Sequence, residues 1–137
     1  MLVEVNNVIS ASINKKWIRD FLLKSADIIK GRKIDVLSVA LVGNSEIKKW
    51  NRKYRGENKI TDVLSFDDPA EIIICWPRLI KQAKMQAHSR RKELAILLAH
   101  GFLHILGYDH KTKKQALLMQ KKADKILEQL NIRTLEH

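Results

Sequence analysis

The chain has 137 residues, 45% of them hydrophobic, which suits one domain with a real core and argues against disorder. Its formal charge of +11, from 26 Lys and Arg against 15 Asp and Glu, fits a polyanionic partner, nucleic acid or an anionic membrane surface, or simply a Lys-rich, well-solvated surface, with nucleic acid ahead. Apolar runs are short and the start, Met1 to Val5, lacks a basic n-region and an apolar h-region, so neither a membrane span nor a signal peptide is expected, while the single cysteine, Cys75, excludes an internal disulfide and a thiolate-rich metal site.

In chain order, residues 2–8 are expected to form a first strand. Residues 12–30 read as a helix, with Ser12 as N-cap, Ile13, Trp17, Phe21 and Leu22 on one side, and Gly31 as the stop. From Ile34 to Val42 the pattern changes to period two. Leu37, Val39 and Leu41 fill one face and Ile34, Val36, Ala40 and Val42 most of the other, so this strand belongs inside a sheet covered by helices. Gly43-Asn44-Ser45 opens a short helix carrying Ile47, Trp50 and Tyr54, and Gly56 ends it.

Thr61 to Phe66 is the next expected strand, followed by the turn signal Asp67-Asp68-Pro69 and a strand from Glu71 to Cys75. Pro77 suits the first position of a helix running to about Ala87. Ser89 caps a helix over about 90–106 whose apolar residues surround it on nearly every side, the pattern of a helix buried in the middle of a domain. Thr112 and Gln115 form a capping box for a last helix over about 113–130, with Ala116, Met119, Ala123, Ile126 and Leu130 inward. The sum is an α+β domain, one small sheet packed with helices, over residues 1–134. Leu135-Glu136-His137 resembles the start of an expression tag.

Three of the five histidines fall within the eleven residues His100-Gly101-Phe102-Leu103-His104-Ile105-Leu106-Gly107-Tyr108-Asp109-His110. Four residues apart on a helix, His100 and His104 lie about 40° apart around the axis and one turn along it. Gly107 can take the left-handed conformation that ends a helix and turn the chain so that His110 reaches the same ion. One His on an apolar helix is ordinarily a hydrogen-bonded core residue, and a pair at this spacing is ambiguous; the third, with a helix-ending Gly between, favours metal. Three imidazoles leave a tetrahedral position open, the arrangement of a catalytic zinc, although Ni, Co or Cu suit the same donors. The spacing also matches that of metzincin peptidases, but Gly101 stands where those enzymes carry a Glu as general base, which disfavours peptide hydrolysis.

The segment His-Gly-x-Leu-His-x-Leu-Gly-Tyr-Asp-His, residues 100–110, resembles the signature of the YbeY family of bacterial rRNA-maturation endoribonucleases. Asn51-Arg52-Lys53-Tyr54-Arg55-Gly56 and Thr61-Asp62-Val63-Leu64-Ser65-Phe66 are similar to that family's Tyr-Arg-Gly and Thr-Asp-Val-Leu-Ser-Phe blocks, and the likeness spans roughly 35–130. It implies a zincin-like domain with a mixed sheet of about four strands, one Zn2+ held by His100, His104 and His110, and cleavage of single-stranded RNA. It further implies cytoplasmic work on the small ribosomal subunit, maturing rRNA ends and assisting quality control beside assembly factors, with no membrane role and no DNA specificity. The family's functional Arg falls on Arg55. The chain departs from the pattern at Pro69-Ala70-Glu71-Ile72, where the family has Leu-Gly-Asp-Ile, and in a shorter loop between the two strands; Glu71 stands where the family has Asp.

A zinc-bound water ionises near neutral pH, and a planar guanidinium such as that of Arg55 suits the charge gained by a phosphodiester in its transition state. The general base is left open between the metal hydroxide, Glu71 and the RNA 2′-hydroxyl. Asp109 is a candidate to orient a ligand imidazole or to hold the turn, and Lys59 a candidate cleft residue. Arg78, Lys81, Lys84, Arg90, Arg91 and Lys92, and on the last helix Lys113, Lys114, Lys121, Lys122 and Lys125, form runs that fit a phosphate backbone or a solvated face. Trp17 and Trp50 fall in helical apolar stripes, where core packing outweighs base stacking, and His88 receives no role. Two other classes compete with the nuclease: a ribosome-assembly factor whose metal only holds the fold, and a metal-dependent hydrolase of peptides or small molecules.

Overall fold

The computed structural model describes residues 1–132; the residues resembling a tag, 135–137, lie outside them. Four strands and five helices follow in the order β1 (Leu2–Asn7), α1 (Lys15–Ile28), β2 (Val36–Val42), α2 (Asn44–Arg55), β3 (Val63–Asp67), β4 (Ala70–Cys75), α3 (Trp76–Met85), α4 (Arg90–Ile105) and α5 (Lys113–Gln129). The strands lie in the order β1-β2-β4-β3. β1 with β2 and β2 with β4 are parallel, and β3 with β4 is antiparallel. Parallel neighbours need a crossover, which α1 and then α2 supply, whereas β3 and β4 are joined by the tight turn at Asp68-Pro69. The expected α+β class with a mixed four-stranded sheet is the architecture observed.

The alternation in β2 and β4 feeds two cores. Leu37, Val39 and Leu41 of β2 and Ile72 and Ile74 of β4 join Ile18, Phe21 and Leu22 of α1 and Leu94, Leu98 and Phe102 of α4 in the larger one. Val42, Leu64, Ile73 and Cys75 face the other way and meet Ile47 of α2 in the smaller one. Because α2 reaches only the end of β2 at Ala40 and Val42, Val36 at the other end stays 42% exposed, and Ile34 lies before the strand rather than in it. The expectation of a β2 covered along both faces is therefore met only in part.

The first helix starts later than the sequence suggests. Asn14, not Ser12, is the N-cap, its side chain accepting from the Lys16 N–H at 2.8 Å. The reason lies upstream: the Asn7 amide donates to the Ala11 carbonyl and accepts from the Ala11 N–H, both at 2.8 Å, which holds residues 7–11 in a loop. The helix stops at Ile29 rather than Gly31, because extended backbone there drops Ile29 into the core, where it is 3% exposed. Thr61 and Asp62 precede β3 rather than belonging to it, and α3 ends at Met85 instead of Ala87. The caps of α2, α4 and α5 are those the residues suggested, with Gly56 left-handed after α2, Ser89 accepting from the Lys92 N–H, and the full box at Thr112 and Gln115. Among the described residues no helix is long and apolar enough to cross a membrane.

The tryptophans serve packing. Trp17 stacks on Phe21 at 5.3 Å, Trp50 stacks on Tyr54 at 5.1 Å above the smaller core, and Trp76 is buried in the larger.

Candidate metal centre

Beyond its first turn, α4 is buried at every position except Ile96, His100 and His104. The helix is apolar on all other sides, so packing against the sheet, α1, α3 and α5 leaves its two histidines on the one stripe facing outward. It ends in a Schellman arrangement. The Gly107 N–H bonds the His104 carbonyl and the Tyr108 N–H bonds the Leu103 carbonyl, each at 3.0 Å, with Gly107 at φ +102°. No atom lies within 4 Å of a Cβ built on Gly107, so the backbone conformation rather than space requires the glycine.

This reversal brings His110 back to the helix. The three rings lie with centroids 4.8, 5.9 and 5.2 Å apart, and one nitrogen of each is within 4.8 Å of the others. Bonds of about 2.0–2.1 Å to a common zinc require the nitrogens to close in somewhat, which side-chain rotation supplies. Among the described residues no Cys, Asp or Glu joins the cluster. The donor set therefore fits a borderline-soft divalent ion and contains no fourth side chain to complete a closed tetrahedron. Burial first, and then the neighbouring imidazoles, hold His100 below the ordinary histidine range. His104 is lowered in the same way, by burial and then by His110. Both rings thus keep a free lone pair at neutral pH, as a metal ligand must.

The three histidines form one wall of a cavity of about 530 Å³. The facing wall is β3 with Thr61 and Asp62 before it, and Tyr54 and Arg55 from the end of α2 stand at the rim. Arg55 is exposed and has no ion-pair partner among the described residues, so its guanidinium is available to an anion in the cavity. Gly56, left-handed at φ +69°, ends α2 directly after it. Asn51, buried in the same helix, donates to the Lys59 carbonyl at 2.9 Å and pins the loop that follows.

The remaining candidates lie elsewhere or act differently. Glu71 shares the face of Ile73, the side of the sheet away from α4, and does not line the cavity; burial raises its carboxyl above the ordinary range. Lys59 is exposed, lies 3.6 Å from Glu57, and does not line the cavity either. Asp109 accepts from the His110 backbone N–H at 2.7 Å, and that bond is the main cause holding its carboxyl below the ordinary range. Its carboxylate is 4.0 Å from His110 Nδ1, too far for a hydrogen bond, so it braces the turn rather than the ring.

One residue was passed over in the sequence. Among the described residues Asp62 is the only carboxylate in the cavity wall, and its charge opposes the lowering of His100. Its oxygens accept from the Val63 N–H at 2.8 Å and from Gln82 Nε2 at 3.3 Å. Its signal in the sequence is its place in the Thr61–Phe66 block, which carries both the strand pattern and the family resemblance. The structure also gives a reason for Gly101: a Cβ there would lie 3.1 to 3.2 Å from three side-chain atoms of Ile72. α4 lies close against the sheet here, and a Glu at the position would point into the core instead of at the histidines.

The chain belongs to the YbeY endoribonuclease family: the model of that family, described as Endoribonuclease YbeY, matches residues 3–131. An Endoribonuclease YbeY of Finegoldia magna is 40% identical over 106 residues, covering 70% of this chain and 69% of the relative. One from Moorella thermoacetica is 41% identical over 115 residues, covering 71% and 74%. The fold is similar to that of a Thermotoga maritima protein solved in solution, with a TM-score of 0.65 and 26% identity over 95% of this chain and 92% of that one.

Proposed function

We propose that the protein is a zinc-dependent endoribonuclease that cleaves single-stranded RNA in the maturation of small-subunit rRNA ends and in ribosome quality control, in the cytoplasm. The observation that carries this reading is the convergence of His100, His104 and His110 on one cavity wall with Arg55 at its rim. Family membership and the strongly basic chain support RNA as the substrate class.

His100, His104 and His110 would hold the ion. A bound zinc supplies Lewis acidity and lowers the pKa of water toward neutrality. Arg55 binds the phosphodiester through its planar fork and meets the charge that develops on the non-bridging oxygens as the phosphorus is attacked. Tyr54 and β3 shape the wall against which the strand lies. Glu71, on the far side of the sheet, is not placed to act as general base; an ion held by His100, His104 and His110 would polarise the attacking water, or the RNA 2′-hydroxyl would attack, and among the described residues Asp62 is the one wall carboxylate in position to take part. The lack of room at Gly101 for a side chain beside Ile72 weighs against a peptidase of the metzincin kind.

The test is cleavage of ribosomal RNA by purified protein, with and without chelator, beside a His104→Ala variant. Chelation and the substitution are both expected to abolish cleavage, a loss larger than the roughly 10–100-fold typical of changes behind the ligands. Identical RNA patterns in all three would sink the enzymatic reading. An assembly factor with a purely structural ion would instead unfold on chelation and bind RNA without cutting it.

A further inference from the structure

We infer that the cavity between α3 and α4 is a second nucleotide subsite, holding the base and phosphate of a residue next to the one at the histidines; this rests on the endoribonuclease reading. The cavity measures about 560 Å³, within the roughly 300–1,000 Å³ that small-ligand sites occupy. Three observations point to a nucleotide of the same strand.

The first is alignment. The accessible stripe of α4 does not begin at the metal centre but at Ile96, one turn before His100, and Ile96 lines the second cavity. Ile96, His100 and His104 follow at four-residue steps of about 6 Å each, so one extended strand can lie along the helix across both sites. Ile96 is half-buried and belongs to neither hydrophobic core, and the part of its side chain left accessible lines the second cavity.

The second is continuity. Gln82 of α3 lines the second cavity, and its Nε2 donates at 3.3 Å to Asp62, which lines the first. The same nitrogen donates to Glu93 at 3.1 Å, and Glu93 lies 2.6 Å from His88 Nε2. The wall shared by the two cavities is therefore hydrogen-bonded across α3, α4 and the segment before β3. Glu93, which with His88 also lines the second cavity, is buried and is engaged there by Gln82 Nε2 and His88 Nε2.

The third is the chemistry of the lining. Arg78 and Lys81, one turn apart on α3, are exposed and lack an acidic partner among the described residues. They suit a phosphate. Met85, 73% exposed, and Ile96 offer the apolar surface on which a base rests, and the Gln86 amide offers both a donor and an acceptor to its edge.

The test compares a dinucleotide with a single-stranded RNA long enough to fill both cavities. In the native protein the longer RNA should gain about tenfold or more in kcat/KM. Arg78→Ala with Lys81→Ala should lose that gain. Lys15→Ala with Lys24→Ala, which removes the same charge from α1, should keep it. Filter binding of the longer RNA should show the slope of log affinity against log salt reduced by about 1.4 in the first pair, as expected for two phosphate contacts. A full length-dependent gain and an unchanged slope in the Arg78, Lys81 variant would overturn the subsite while leaving the nuclease standing. If the native protein cuts no RNA, the nuclease reading fails and the binding comparison alone decides the subsite: a lower affinity and flatter slope support it, and equal binding ends it.

Discussion

The two faces of the sheet are built to different depths. On one side α1 and α4 bury a core that runs from Val3 to Ile126, and α4 is enclosed at nearly every position. On the other, α2 alone covers a cluster of Val42, Ile47, Leu64, Ile73 and Cys75. The thick side carries the two histidines that require fixed geometry, while the thin side ends in Arg55, an exposed arm that reaches over the cavity from the last turn of α2. Rigid and adjustable parts of one site thus come from layers of unequal packing.

The largest expected stability effect lies where α4 packs on Ile72 of the sheet. Gly101→Glu should cost about 3–5 kcal/mol in chemical denaturation, because it drives an unpaired carboxylate against Ile72, and it should confer no peptidase activity. If the variant is as stable as the native protein, the close approach of α4 to the sheet is not what excludes a general base. Next, Leu98→Ala and Ile47→Ala compare the faces directly, both side chains being fully buried. The first should cost about 3–5 kcal/mol and the second about 2–3, since the thinner layer can settle into the space. Equal losses would mean that the two faces are equally stiff.

Arg55→Ala should reduce kcat about 100-fold, with denaturation shifted by no more than about 0.5 kcal/mol, and Arg55→Lys should recover only part of the rate. A matching loss of stability would make Arg55 a structural residue instead.

The smallest effect is on pH dependence, and its sign differs between the faces. His100 and His104 lie below 6.5 when folded, so the unfolded chain binds more protons between their lowered values and 6.5. Stability of the metal-free protein is therefore full above 6.5 and falls as pH drops through that window. Glu71 lies above 4.5 when folded, so its contribution is full below 4.5 and fades as pH rises through its raised value. Thermal melts across this range should show His100→Gln flattening the near-neutral slope and Glu71→Gln the acidic one.

Much of this was legible in the residues. The caps at Gly56, Ser89 and Thr112 were readable because each depends on chemistry within four residues of itself. The clustering of His100, His104 and His110 was readable for the same reason, the three lying on one helix and the turn after it. What escaped notice depended on distant partners. Ser12 is a good cap by type, yet the Asn7 clamp on Ala11 delays the helix, and nothing in either residue announces that pairing. Glu71 was placed near the cleft by its position in the family pattern, but the parity of its strand turns it to the far face. Asp62 is held at the site partly by distant groups, its carbonyl accepting from the Cys75 N–H and its carboxylate from Gln82, twenty residues on.

The division of the triad between a helix and a turn also has a kinetic consequence. His100 and His104 are carried by α4, which beyond its first turn is buried at nearly every position. The His110 side chain is 60% exposed, on a bend braced by Asp109. An ion held by all three would depart by that door, with its residence time governed by the swing of one imidazole and not by the endurance of the fold. A chelator would then strip the protein quickly and leave it folded, ready to be reloaded.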